Sequence, residues 1–189
     1  MFVSLGSNCS VSYQLAKYNM KSIALPFDWC QISINQLIYV FENNFEKFST
    51  FEIIKESTNH NLIENNKIIG KSSLILKNPY NIRFAHEILS KYSLDEFIIK
   101  MTERIKRFIE LKEKLTFVRI ELSPIKNDYT NKIQKLLVLL DKYFINYKLI
   151  LILPNIIKFD NTKIRCYTYE AYSSDWKMNN LPWNSYFNL

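Results

Sequence analysis

Phe2 to Leu5 form a short apolar run that Gly6 ends, and either Ser7 or Asn8 is suited to cap a helix carrying Val11, Leu15 and Tyr18 at helical spacing. The chain is therefore predicted to open strand, tight turn, helix. A second helix is expected from about Ser33 to Phe45, with Leu37, Ile38, Phe41 and Phe45 on one face and Pro26 and Trp29 in the connector before it. Between His60 and Asn78 two β-rich runs, Leu62-Ile63 and Lys67-Ile68-Ile69, flank Glu64-Asn65-Asn66, and Leu74-Ile75-Leu76 follows, which predicts a hairpin or meander. At Ser93 the sequence Ser-Leu-Asp-Glu forms a capping box with Glu96 and opens an amphipathic helix to about Lys112, whose stripe is Phe97, Met101, Ile105, Phe108 and Leu111.

The last third changes period repeatedly. Leu115 to Leu122 is strand-like, Tyr129 to Phe144 helical, Tyr147 to Leu153 strand-like, and Ile164 to Tyr169 strand-like again. This rhythm predicts a sheet with helices packed on its faces. The fold class is α/β or α+β, since periodicity does not reveal strand order. No internal repeat or linker divides the chain, and residues 1–189 are expected to form one domain.

Composition supports a core of ordinary size, with 48% hydrophobic residues, and forces most turns onto Asn, Asp, Ser or Pro because only two glycines, Gly6 and Gly70, are present. The net charge of +7 and pI of about 9.2 would suit an anionic partner. Asn, Ile and Lys run together throughout, however, as A/T-rich codons produce, so the lysines are read as a solvated surface and nucleic acid is not an expected partner. The opening residues lack a basic stretch followed by a long apolar one, and no apolar run reaches about 18 residues, so neither a signal peptide nor a membrane span is expected. Cys9, Cys30 and Cys166 are odd in number and without a Cys-x-x-Cys, which reads as free thiols rather than a disulfide framework or zinc cage. No metal or other cofactor is expected.

The most specific chemical feature is Cys9, placed by Ser7-Asn8-Cys9-Ser10 at the mouth of the first helix. Free N–H groups and partial positive charge there favour a thiolate, and the same turn, with Asn8 as a further donor and Ser10 beside it, can hold an oxyanion. A bland reading is a small buried residue near a cap. A cysteine nucleophile needs a base, and the chain has two histidines. His86 lies in Arg83-Phe84-Ala85-His86-Glu87, where apolar neighbours can desolvate it, whereas Asn59-His60-Asn61 reads as a polar turn.

Other chemistries lack their parts: no Arg stands six residues after Cys9 or Cys30, and there is no Gly-rich phosphate loop or Gly-x-Ser-x-Gly elbow. Lys100, Arg104 and Arg107 share a helix face, but with Glu103 and Glu110 on the same helix they read as a solvated face.

Three blocks together resemble the papain-like cysteine peptidase family of unknown function that occurs in bacteria and large DNA viruses. Ser4-Leu5-Gly6-Ser7-Asn8-Cys9 is similar to its Cys motif, Pro26-Phe27-Asp28-Trp29 to its second block, and Phe84-Ala85-His86 to its Phe-x-His, with Phe117-Val118-Arg119 as a weaker fourth element. The resemblance implies a single papain-like domain, its Cys-bearing helix packed on a mixed or antiparallel sheet. It also implies a thiol hydrolase or acyltransferase, with Cys9 as nucleophile and His86 as base. The residue that steadies the imidazole is Asp28, which falls in a resembling block, or Glu121, two residues after Arg119; Asp175, before Trp176, ranks below both. Asp28 also suits a turn cap, and Trp29 is expected to be buried beside the site. The substrate is a protein or a small acyl compound with an amide, isopeptide or thioester carbonyl. The expected location is the cytoplasm, that of the host if the chain is viral. The rival reading is a non-catalytic module whose Cys9 turn and Trp29 form a binding surface.

Overall fold

The structure, a computed structural model, describes residues 1–64, 67–87, 91–125, 128–169 and 175–188. Four strands form an all-parallel sheet in the order β1 (Phe2–Ser4), β6 (Leu115–Ile120), β7 (Tyr147–Leu153), β8 (Ile164–Thr168). Along β6 and β7 side chains alternate between two cores: Phe117, Leu149 and Leu151 face one way, Val118, Ile120, Ile150 and Ile152 the other. The first face is covered by α2 (Ile34–Glu42), α3 (Leu94–Ile109) and α4 (Tyr129–Asp141). The second is covered by α1 (Ser10–Lys17) and by the C-terminal segment with α5 (Trp183–Phe187). Burial on both faces is why these strands read as continuous apolar runs.

A second, antiparallel sheet has the order β2 (Cys30–Gln31), β5 (Arg83–Phe84), β4 (Lys67–Lys77), β3 (Glu52–Glu64). The expected hairpin is present and longer than its apolar runs suggested; Asn65 and Asn66, between its strands in the sequence, lie outside the described residues. Lys55 pairs with Leu74 and His60 with Ser72, so residues 56–59 of β3 stand against residue 73 alone, a large bulge in the ribbon.

The α/β or α+β expectation thus holds, with the strands sorted into two sheets; α1 lies on the parallel one and the antiparallel strands are gathered in the other. Both capping boxes are formed, at Ser33/Gln36 and Ser93/Glu96. Helix α2 stops at Glu42, short of Phe45, because Asn44 and Phe45 take left-handed backbone angles.

Candidate active site

The turn after β1 is fixed by its neighbours. Gly6 has φ +73°, its N–H donates to Ser4 Oγ at 3.1 Å, and a Cβ there would stand 2.2 Å from Ile32 Cγ2. Ser7 follows with φ +82°, and its carbonyl accepts from the Ile32 N–H at 3.3 Å. Arg119, fully buried, donates to the Leu5 carbonyl at 2.9 Å, the Ile32 carbonyl at 3.1 Å and Glu121 Oε1 at 2.6 Å. One guanidinium therefore ties the Cys9 turn to the strand that begins the other sheet, and the Phe-Val-Arg element is a structural staple. Asn8 Oδ1 accepts from the Ser10 N–H at 3.1 Å and the Ser10 hydroxyl at 2.5 Å, so Asn8 caps the helix that Cys9 flanks. Oδ1 being engaged, the Asn8 amide nitrogen has no partner among the described residues and remains a donor beside the thiol.

Cys9 is only 6% exposed, and burial, reinforced by the charge of Glu87, pushes its thiol far above the ordinary range. Burial thus works against the expected thiolate. A helix terminus supplies about 0.3–1 kcal/mol to a nearby charge, whereas removing an anion from water costs several kcal/mol.

His86 follows β5, where Phe84 is held between Cys30 of β2 and Leu76 of β4. Its Nδ1–H donates to the Asn61 carbonyl at 2.5 Å, at the end of the β3 bulge. The ring sits between Trp29, edge-on at 5.9 Å, and Trp176 at 5.5 Å with planes 30° apart. Burial depresses the imidazole pKa below its ordinary 6.5; the Asn61 carbonyl and Glu87 oppose this, and His60 adds to it. The ring is therefore neutral at pH 7, and its Nε2 carries a free lone pair because Nδ1 holds the hydrogen.

Cys9 and His86 line one cavity of about 300 Å³ together with Asn8, His60, Asn61 and Trp176. Neither expected carboxylate reaches the imidazole. Asp28 accepts from the Leu25 N–H at 2.8 Å and the Ser12 hydroxyl at 2.9 Å and pairs with Lys21 at 3.1 Å, which makes it the cap of the Pro26–Trp29 turn. Glu121 is engaged by Arg119 and by the Tyr129 hydroxyl at 3.0 Å. Asp175 caps the tail turn through the Lys177 N–H at 3.0 Å. The partner of Nδ1 is a main-chain carbonyl, which no side-chain pattern announces. Trp29 is half-buried with φ +60°, and Phe27 is the core residue of its block, packed on Phe41, Phe45, Phe48 and Phe108.

The acid beside the pair is Glu87. Burial acts to raise its pKa, but Arg104 at 3.4 Å, Lys100 at 3.3 Å and the Tyr92 hydroxyl bring it below the ordinary carboxylate value. The basic face of α3 is thus not simply solvated: Arg104 is buried. The signal was available, because residues 97, 101, 104 and 108 have the spacing of a buried stripe. His60 lies in β3 rather than in a turn.

Among the described residues no helix is long and apolar enough to cross a membrane. Residues 1–153 match the family described as "putative papain-like cysteine peptidase". The chain is 31% identical over 142 residues to an uncharacterized protein of Acanthamoeba polyphaga mimivirus, a match that takes in 67% of this chain and 64% of that one, slightly under two thirds of the relative. No solved structure matches it. With a family model covering most of its length and the Cys and His blocks meeting in one cavity, the chain belongs to the papain-like cysteine peptidase family so described.

Proposed function

We propose that the protein is a thiol hydrolase or acyltransferase acting on an amide, isopeptide or thioester carbonyl of a protein or small acyl substrate in the cytoplasm. The observation that carries this is the shared cavity of Cys9 and His86, with Nδ1 of the imidazole committed to the Asn61 carbonyl and Nε2 left as a base. The resting pair is neutral. Nε2 takes the Sγ proton as sulfur attacks the carbonyl carbon, the C=O electron pair moves to oxygen, and the Asn8 amide donates to that oxyanion. On collapse the bond to the leaving group breaks, the leaving group takes the proton from Nε2, and an acyl-thioester on Cys9 remains. Water, deprotonated by the same Nε2, then attacks the thioester carbon, the C–S bond breaks, sulfur takes the proton back from Nε2 and the acid is released; an amine in place of water completes acyl transfer. Asn61 acts as the positioning residue that Asp28 and Glu121 were expected to be.

The test is labelling with peptidyl aldehydes and acyloxymethyl ketones, read by intact mass. Cys9 is expected to be modified, the Cys9→Ala variant not at all, and His86→Ala about 100-fold more slowly, in the range of general-base contributions. One observation favours the alternative, a non-catalytic binding module: the thiol is buried and held protonated. Under that reading His86→Ala leaves the labelling rate unchanged.

A further inference from the structure

Glu87 follows the base by one position but does not line the Cys9 cavity; its side chain turns to α3, where Arg104 stands at 3.4 Å and Lys100 at 3.3 Å. The Tyr92 hydroxyl donates to the same carboxylate, the Tyr92 ring is stacked on fully buried Phe97 with planes 12° apart, and the Lys100 ammonium lies over that ring, 4.6 Å from its centroid. The carboxylate is therefore fixed by three partners. Such a cluster adds little to stability. The side chains of Glu87 and Arg104 are 8% and 6% exposed, so both charges have left water. In a pair of this kind desolvation rivals the attraction, and an apolar pair of similar volume holds a helix as well or better. Nor is the contact the two-pronged one that strengthens an arginine–carboxylate pair: Nη1 makes it, and Arg104 Nε is buried without a partner among the described residues. What the cluster supplies instead is an ionised carboxylate next to the imidazole in the chain, where water screens it little.

We infer that Glu87 is a positioning residue for the proton of the Cys9–His86 pair, a fixed anion behind the base that favours the imidazolium formed as sulfur attacks. The charge acts on both members: it raises the affinity of His86 for a proton and holds back the ionisation of Cys9. It thereby opposes a thiolate formed ahead of the substrate. During attack the negative charge passes from sulfur to the carbonyl oxygen while the proton stays on Nε2, so the attraction between Glu87 and the imidazolium lasts into the tetrahedral intermediate. The titratable groups that bear on the imidazole are His60, which opposes Glu87, and Cys9 in the shared cavity; those that bear on Glu87 are Arg104, Lys100 and Tyr92. The catalytic meaning rests on the function proposed above; the electrostatic assignment does not.

The experiment compares Glu87→Gln and Lys100→Met with the native protein, following the His86 ring protons by NMR against pH; the chain has two histidines, and His86→Ala identifies the signal. Glu87→Gln removes the anion and is expected to move the His86 pKa further below 6.5 and to quicken Cys9 alkylation by iodoacetamide in the alkaline range about threefold or more. Lys100→Met removes an exposed cation, leaves the Arg104 pair in place and is expected to move the His86 pKa up. A carboxylate that only braces the fold has another signature, because its loss loosens the site and readmits water, which raises the His86 pKa. A His86 pKa that rises or stays in Glu87→Gln, or a Cys9 rate no faster than native, therefore overturns the proposal. Should that variant not fold, a His86 pKa that falls or stays in Lys100→Met overturns it. If the pKa moves as expected while Cys9 is inert toward acyl probes, the hydrolase reading fails and the charge assignment stands; if Cys9 reacts and the pKa does not move, the charge assignment alone fails.

Discussion

In the parallel sheet every residue of β7 except Lys148 is buried, whereas in the antiparallel sheet β4 buries only Ile75 and Leu76, and none of residues 52–62 of β3 is buried. Cys9 and its helix belong to the first region; Asn61, His60 and His86 belong to the second. The thiol is thus set by a packed interior with almost no room for adjustment, while the imidazole is held from a shallow ribbon by one carbonyl and two indoles. The consequence is an asymmetry: changes on the Cys9 side should act through stability, and changes on the His86 side through protonation.

The staple between the two regions carries the largest expected effect. Arg119→Met leaves the Glu121 charge with the Tyr129 hydroxyl but no cation, and takes the guanidinium from the Leu5 and Ile32 carbonyls, at a cost of about 3–5 kcal/mol for breaking a buried ion pair. For a domain of this size that is a Tm lower by roughly 10 °C. A calorimetric Tm within a degree or two of the native value would show that the regions are joined by apolar packing alone.

Next is Gly6→Ala, which adds a Cβ into Ile32 at a left-handed position and should cost about 2–4 kcal/mol from strain and overpacking combined. The added carbon meets Ile32 Cγ2, so Ile32→Ala should relieve part of the cost. A denaturant double-mutant cycle is expected to return a favourable coupling of about 1–2 kcal/mol, and zero coupling would place the strain elsewhere.

Thiol reactivity sharpens the comparison further. Cys166 is half-buried, its thiol pushed up to about 11, whereas Cys9 and Cys30 are deeper and higher. A raised pKa means less thiolate at neutral pH, so iodoacetamide should modify Cys166 first, with Cys9 and Cys30 slower by about tenfold or more. All rates should climb through the alkaline range without a neutral plateau, and a Cys9 rate that levels off near pH 7 would restore a pre-formed thiolate.

The smallest effect concerns Trp176, which covers one face of the imidazole. Trp176→Ala readmits water, so the His86 pKa should rise toward 6.5, while Trp176→Phe keeps it low; an NMR titration decides. The stability profile follows the same sign. A depressed imidazole pKa gives stability that is complete above 6.5 and lost as pH falls through the folded value. The Trp176→Ala variant should therefore lose less stability on that acid flank.

Much of this was legible from the chain alone. Cys9 and His86 stood out because a thiol at a helix mouth and a histidine among apolar residues are local patterns, and Ser93 with Glu96 signalled its cap for the same reason. The failures share a different cause. Asn61 acts through a carbonyl, which every residue possesses, so nothing in its side chain marks it. Asp28 and Glu121 are acids with local or neighbouring partners that outcompete a distant imidazole. Trp176 reaches His86 from 90 positions away because buried Gln14 of α1 holds the tail, donating to the Lys177 carbonyl at 2.5 Å and to Asn179 at 3.2 Å. Burial opposes the expected thiolate by more than one short helix supplies in its favour.

Among the described residues β1 pairs with β6 alone, matching Phe2 to Thr116, Val3 to Phe117 and Ser4 to Val118. During synthesis β1 must therefore wait for more than a hundred further residues before it finds its partner. Arg119, which locks the turn, emerges later still than the strand residues it follows. The hairpin at 52–77, paired within itself, has no such delay. The nascent chain would then carry its ribbon early and its Cys9 turn late, and a fragment ending before residue 115 lacks the strand against which that turn is set.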